Sequence, residues 1–201
     1  MNDSKQHILD VALKLFLQKS FKEVTMRDIV EQTGLSKGAV YHYFESKETL
    51  FLEIVQNSFS SMMFSAFENY ENKSLYDFYQ DYINFRIGQR INHFKDSQHN
   101  IGSSFTENHI SLLFDAIKIY PEFKNRLKVN RDREVQTWLE VVKRAREGGE
   151  IKSTMTDMQI VLIFLYTGNG LSLELIMNKT IENLKSEYLK LWDSFYESIK
   201  A

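Results

Sequence analysis

Cysteine is absent from this 201-residue chain, which removes disulfides, thiolate nucleophiles and thiolate zinc sites together. That suits a reducing compartment. Proline occurs once, at Pro121, and glycine only eight times, so punctuation for strands and tight turns is nearly missing over the whole length. An all-α fold is the expectation. There is no uninterrupted run of eighteen apolar residues and no basic segment leading into an apolar one, which leaves no candidate membrane span or secretory signal. A large excess of one charge is lacking too, the formal net charge being −2. Bulk positive charge cannot hold such a protein on nucleic acid, so any contact of that kind must come from a local arrangement. The chain is expected to be cytoplasmic, with no membrane partner, no metal and no cofactor.

What is present is an ordinary globular composition, 43% hydrophobic and 26% charged, long enough for a small domain joined to a larger one. From Gln6 to Lys19, the residues Ile8, Leu9, Ala12, Leu13, Leu15 and Phe16 recur at steps of three and four, the spacing of a helix with one buried face. Thr25 is placed to cap a second, short helix, with Asp28 three positions on completing a capping box and Gly34 supplying the positive φ of a tight exit. Ser36 can cap a third helix running through Val40 to Phe44, and Ser46 a fourth carrying Leu50, Phe51, Ile54, Val55, Phe59, Met62 and Met63. Two short helices joined by a few residues that include glycine make a helix-turn-helix. Beyond about Asn69, polar breaks near Glu71 to Ser74, Lys95 to Gly102, Pro121, Gly148 to Ser153 and Asn178 to Thr180 divide the chain into five further helices, making about nine.

The helix-turn-helix is the segment with chemistry to argue. A recognition helix presents short or flexible side chains to the groove floor and larger donors to the flanking phosphates. Lys37, Gly38 and Ala39 fit the first need: Lys37 can donate to guanine O6 and N7, Gly38 permits close approach, and Ala39 offers a methyl to thymine. Tyr41, His42 and Lys47 can donate to phosphate oxygens, as can Thr25 and Ser36 through hydroxyls or helix N-terminal amides. Phe44 reads as core, packed on Leu35, Val40 and the first helix. His42 lacks a second ligand at metal-binding spacing.

From Thr25 through Phe44, continued by Glu45 to Phe51, the sequence closely resembles the DNA-binding domain of the TetR (tetracycline repressor) family in both residue type and spacing. Ala12, Leu15 and Phe16 of the preceding helix extend the resemblance over about the first fifty residues, and Ser20 departs from it, since the family usually has glycine at that helix exit. The resemblance implies a three-helix DNA-binding domain over 1–47 and a helical effector-binding and dimerising domain over 48–201. It puts Thr25, Arg27, Ser36, Lys37, Gly38, Ala39, Tyr41, His42 and Lys47 on the DNA. With so few basic residues per half-site, one domain alone binds weakly, so a dimer is required, with recognition helices about 34–36 Å apart.

In the larger segment the expected dimer face runs through Gly168, Gly170, Leu184, Tyr188, Leu191, Trp192 and Phe195. The glycines of Thr167-Gly-Asn-Gly170 interrupt an apolar helix over Asp157 to Met177 at a cost of about 1 kcal/mol each, which close approach of a partner helix, the favoured reading, or of a ligand would offset. Candidates to line a small-molecule site are Phe67, Tyr82, Phe85, Arg86, Gln89, His93, Phe105, His109, Trp138, Tyr166 and Asn169, although helical bundles use such aromatics as plain core. Arg86 is the informative member: on a helix with Tyr82, Phe85 and Gln89 it can stand exposed, but if buried its guanidinium needs an anion. The expected function is a homodimeric repressor released from a palindromic operator by a small hydrophobic or amphipathic effector. An activator built on the same DNA-binding residues is one alternative, and a helical small-molecule-binding protein acting by sequestration is another. An enzyme ranks last: Glu107 and His109, two apart on a helix, point in different directions.

Overall fold

The computed structural model describes residues 3–63, 70–96, 107–177 and 183–201, and within these the side chains of 58–63, 87–96, 107–110 and 175–177 are outside the description. The described residues form nine α-helices: α1 Asp3–Gln18, α2 Met26–Thr33, α3 Lys37–Tyr43, α4 Lys47–Met63, α5 Leu75–Asp96, α6 Glu107–Ile119, α7 Pro121–Glu147, α8 Asp157–Met177 and α9 Leu184–Ile199. The all-α expectation holds, and Pro121 stands at the first position of α7, where its missing amide hydrogen costs nothing. No described helix is long and apolar enough to cross a membrane.

Two compact units divide the chain. One gathers residues 1–63 and 105–126, and the other residues 64–104 and 127–201. In the first, the stripe predicted for α1 is buried: Ile8, Ala12 and Phe16 lie against a core that includes Ile29 of α2, Val40 of α3, Leu50, Phe51 and Val55 of α4, and Leu112 and Ala116 of α6. Three aromatic rings close it, with Phe51 centred 5.0 Å from Phe16 and 4.6 Å from Phe21. α4 and α6 therefore pack with the helix-turn-helix, so the compact unit extends beyond the functional boundary drawn after residue 47. Phe44 is buried with Val40, and Lys5 of α1 sits over its ring.

Ser20, where a glycine is usual in the resembling family, holds a turn of its own. Its hydroxyl and its amide both donate to Glu23 Oε2, at 2.7 and 2.8 Å. These bonds keep the Glu23 carboxyl below the usual carboxylate range. At the far end of the same turn Lys47 Nζ donates to the carbonyls of Phe21 and Val24, both at 2.7 Å. The start of α4 is thus fastened to the backbone between α1 and α2.

The second unit is built on aromatic rings. Trp138 of α7, Phe164 of α8 and Trp192 of α9 are buried with ring centroids 5.0–5.6 Å apart, and Tyr79 and Tyr82 of α5 join them. α8 runs unbroken through Thr167-Gly-Asn-Gly170. A Cβ on Gly168 would stand 2.7 Å from Trp192 and 2.8 Å from Tyr188, so the close approach that this glycine permits is to α9 of the same chain. The Tyr188 hydroxyl donates to the Gly168 carbonyl at 2.8 Å. This corrects the dimer face expected from the sequence. Gly168, Leu184, Tyr188 and Trp192 are buried within their own chain. Gly170 has open space around it, Leu191 is exposed and Phe195 is half-buried, packed on Phe164.

Candidate functional site

The helix-turn-helix is assembled by caps. Thr25 and Asp28 form the full box, with the Asp28 amide donating to Thr25 Oγ1 at 3.2 Å and the Thr25 amide donating to Asp28 Oδ2 at 2.8 Å. The Thr25 bonds lower the Asp28 pKa, so the stability the box contributes is present above the ordinary carboxylate pKa and is lost as pH falls through the lowered one. Gly34 turns the chain with φ +67°, which a side chain would strain. Ser36 then caps α3 by accepting from the Ala39 amide at 3.2 Å. His7 Nε2 meets the Thr33 carbonyl at 3.0 Å and ties the turn to α1.

With Val40 and Phe44 turned inward, α3 leaves its other face bare. Ser36, Lys37, Gly38, Tyr41 and His42 are exposed and Ala39 is half-buried. Gly38 has no atom within reach of a Cβ, so nothing of the protein occupies the space in front of it. Lys37 lies over the Tyr41 ring, 5.5 Å from its centroid, and the helix carries no acidic residue. Ser36 Oγ accepts a bond, so its hydroxyl hydrogen is still available. Arg27 is exposed and paired with Glu31 at 2.8 Å, an exposed pair across one helical turn that a phosphate can replace.

Two residues are placed differently from their sequence reading. Lys47 is committed to two carbonyls and to the Phe21 ring, 4.2 Å away, because the α1–α2 turn presents unpaired acceptors beside the start of α4. The Thr25 hydroxyl donates to Asp28 Oδ2 at 2.8 Å, leaving its helix N-terminal position, and not a free hydroxyl, as what it can bring to DNA. Neither is a free side-chain donor.

In the second unit the structure brings together several of the residues expected at a ligand site. Around the buried ring of Tyr82 stand Arg86, whose guanidinium is 5.7 Å from the ring centre, and Trp138, whose ring is 5.1 Å away. Arg86 Nη2 donates to Asn169 Oδ1 at 3.4 Å, and Arg131 lies over the exposed Tyr166 ring. Phe85 is half-buried on the same helix as Tyr82. Two charged members escaped sequence reading: Glu134 accepts from the Tyr82 hydroxyl at 2.7 Å and from Arg131 Nη1 at 2.8 Å. Burial and Glu134 push the Tyr82 hydroxyl well above its ordinary pKa, so it stays protonated and donating. The signal was legible, since Arg131, Glu134 and Trp138 recur at steps of three and four on one face of α7. Phe67 and Phe105 lie outside the described residues, as do the side chains of Gln89, His93 and His109. No cluster of three metal-ligating side chains stands among the described residues.

A family comparison matches the segment that carries this face. Residues 8–54 match the family described as bacterial regulatory proteins, tetR family. Those residues are a TetR-family helix-turn-helix domain. The chain is 31% identical over 108 residues to the uncharacterized HTH-type transcriptional regulator YerO of Bacillus subtilis, which covers 54% of this chain and 37% of that protein. It is 36% identical over 67 residues to the HTH-type transcriptional repressor AcnR of Corynebacterium efficiens, covering 33% of this chain and 36% of the repressor. The matches thus span under two fifths of these relatives' lengths. The fold continues where sequence similarity stops: a TetR-family regulator from Agrobacterium tumefaciens superposes with a TM-score of 0.60 at 19% identity, over 99% of this chain and 98% of that one. The TetR-family α3 is the second helix of the motif, the one such domains insert into the major groove.

Proposed function

We propose that the protein is a homodimeric, ligand-responsive transcriptional repressor that reads a near-palindromic operator through α3, and that it is not an enzyme. The observation that carries this is the α3 face, on which Lys37, Gly38, Tyr41 and His42 are exposed and the space in front of Gly38 is open. On this reading Lys37 and Ala39 meet base edges. Ser36, Tyr41, His42 and Arg27 meet phosphates, with the amides at the start of α2, after Thr25, adding backbone donors. The division of work is DNA binding over 1–47 and effector binding with dimerisation over 48–201. Family membership of the first segment supports repression, and one of the relatives is itself named a repressor.

Release follows from how α4 is fastened. Its first residue, Lys47, holds the α1–α2 turn, and Glu53 pairs with Lys5 of α1 at 2.7 Å, so a displacement of α4 carries the helix-turn-helix with it. An effector that favours the displaced conformer by 1–3 kcal/mol changes operator affinity about 5–150-fold. The test is a fluorescence-polarisation titration of the protein's own and neighbouring promoter fragments. Lys37→Ala and Tyr41→Ala are each expected to weaken specific binding by about 1–3 kcal/mol with the dimer intact. Unchanged affinity in both variants would remove α3 from the interface and leave sequestration of a small molecule as the better reading.

A further inference from the structure

Three buried side-chain nitrogens among the described residues have no hydrogen-bond partner: Arg86 Nε, Arg131 Nη2 and Trp138 Nε1. All three are donors, and all three surround Tyr82. Arg86 lies over its ring, Trp138 packs against it, and Arg131 is joined to its hydroxyl through Glu134. Burying even one such group unpaired is costly, and for a guanidinium the cost is several-fold larger. Three in one neighbourhood, with no orphaned acceptor to balance them, describe a site shaped for acceptor atoms.

The charges agree. Two guanidinium groups face one carboxylate, and that carboxylate is already used, since one oxygen of Glu134 takes the Tyr82 hydroxyl and the other takes Arg131. Among the described residues Arg86 makes no ion pair, and its hydrogen bond to the Asn169 amide oxygen, at 3.4 Å, is long. The surroundings of the cluster are apolar and aromatic: Trp138 and Phe164 are fully buried and stacked 5.0 Å apart, with Phe85 nearby on α5. Trp138 is wholly inside the unit, so a side chain of a docked protein would not reach its indole hydrogen.

We propose that Arg86, Arg131 and Trp138 form the head-group site for an amphipathic oxyanion, a carboxylate or phosphate carried on an apolar or aromatic body. This rests on the reading of residues 48–201 as an effector domain and narrows it: cationic drugs and dyes are the wrong charge for this site, and acidic metabolites are the right one.

Calorimetric titration and thermal shift of the full-length protein test it, with octanoate, benzoate and phenyl phosphate as probes and octanamide, benzamide and phenol as their uncharged counterparts. At least one acid is expected to bind about tenfold or more tightly than its counterpart, the factor that one hydrogen bond to a charged group supplies. Preference for phenyl phosphate over both carboxylates would assign the head group to phosphate, and the reverse to carboxylate. Arg86→Met is expected to abolish the preference in a folded protein, because the guanidinium that faces the head group is gone. Trp138→Phe keeps the ring and loses only the donor, and it is expected to weaken acid binding several-fold in a folded protein. Equal binding of acids and counterparts, or a preference that survives Arg86→Met, overturns the proposal. So does dissociation of the dimer in Arg86→Met with no probe bound by the wild type, which would hand the donors to a second chain. Operator binding of the wild type, measured beside these, keeps the two readings apart. An operator-binding protein indifferent to acids loses this inference alone, and an acid-binding protein indifferent to DNA loses the repressor reading.

Discussion

Gly168 shows how much one missing methyl can decide. In a free helix, alanine there would be favoured by about 1 kcal/mol. Here the added carbon would meet Trp192 and Tyr188 at under 3 Å, and both rings are locked in a buried aromatic cluster and cannot retreat. Overpacking of this kind costs about 1–3 kcal/mol, so Gly168→Ala is expected to lower the unfolding midpoint in urea, while Gly170→Ala, with open space around it, is expected not to. A Gly168→Ala protein as stable as the wild type would contradict the packing. A single chain read as sequence contains the glycine but not the identity of the surface that needs it, which is why an intrachain contact could be taken for a symmetry contact. Lys47 is the same problem in a charged residue, since nothing in the one-dimensional text says whether an ammonium points at solvent or at two unpaired carbonyls.

The helices of the first unit were legible because their signals are local. Thr25 with Asp28, Gly34, Ser36 and Ser46 each fix a boundary through bonds within four residues, and the apolar steps of α1 fix its buried face. α7 was less transparent, because its buried residues are embedded in a strongly polar helix and its charged cluster is completed by α5 and α8. A different long-range bond, from α9 to the segment between α7 and α8, has a pH signature. Tyr196 donates to Glu150 at 3.0 Å, and burial followed by that bond pushes the phenol up to about 12 from an ordinary 10.0. Because the folded form holds this proton more tightly than the unfolded chain, its contribution to stability is complete below pH 10 and is lost as pH rises toward 12. Tyr196→Phe is therefore expected to flatten the fall in melting temperature across that window. An unaltered slope would show that the Tyr196 proton is not held by the fold.

Taken as a molecule, the chain has an outward α3 near one end of its sequence and exposed apolar side chains on its last two helices. Tyr166 and Leu173 of α8 and Leu191 of α9 are exposed, and Tyr166 is the most exposed of them, at 61%. We expect this surface, and not the buried Leu184, Tyr188 and Trp192, to carry dimerisation. Leu173→Asp should give a folded monomer by light scattering, with helical content unchanged, whereas a variant that remains a dimer would move the interface elsewhere. Two copies are what the operator reading needs, since few cations per α3 give weak binding singly. Hydroxyl-radical footprinting of the protein on its own promoter tests that requirement most directly. Two protected patches on one face of the duplex, with centres about one helical turn or a small multiple of it apart and lost together in Lys37→Ala, are the expected result. A single protected patch, or a footprint indifferent to Lys37, would contradict it.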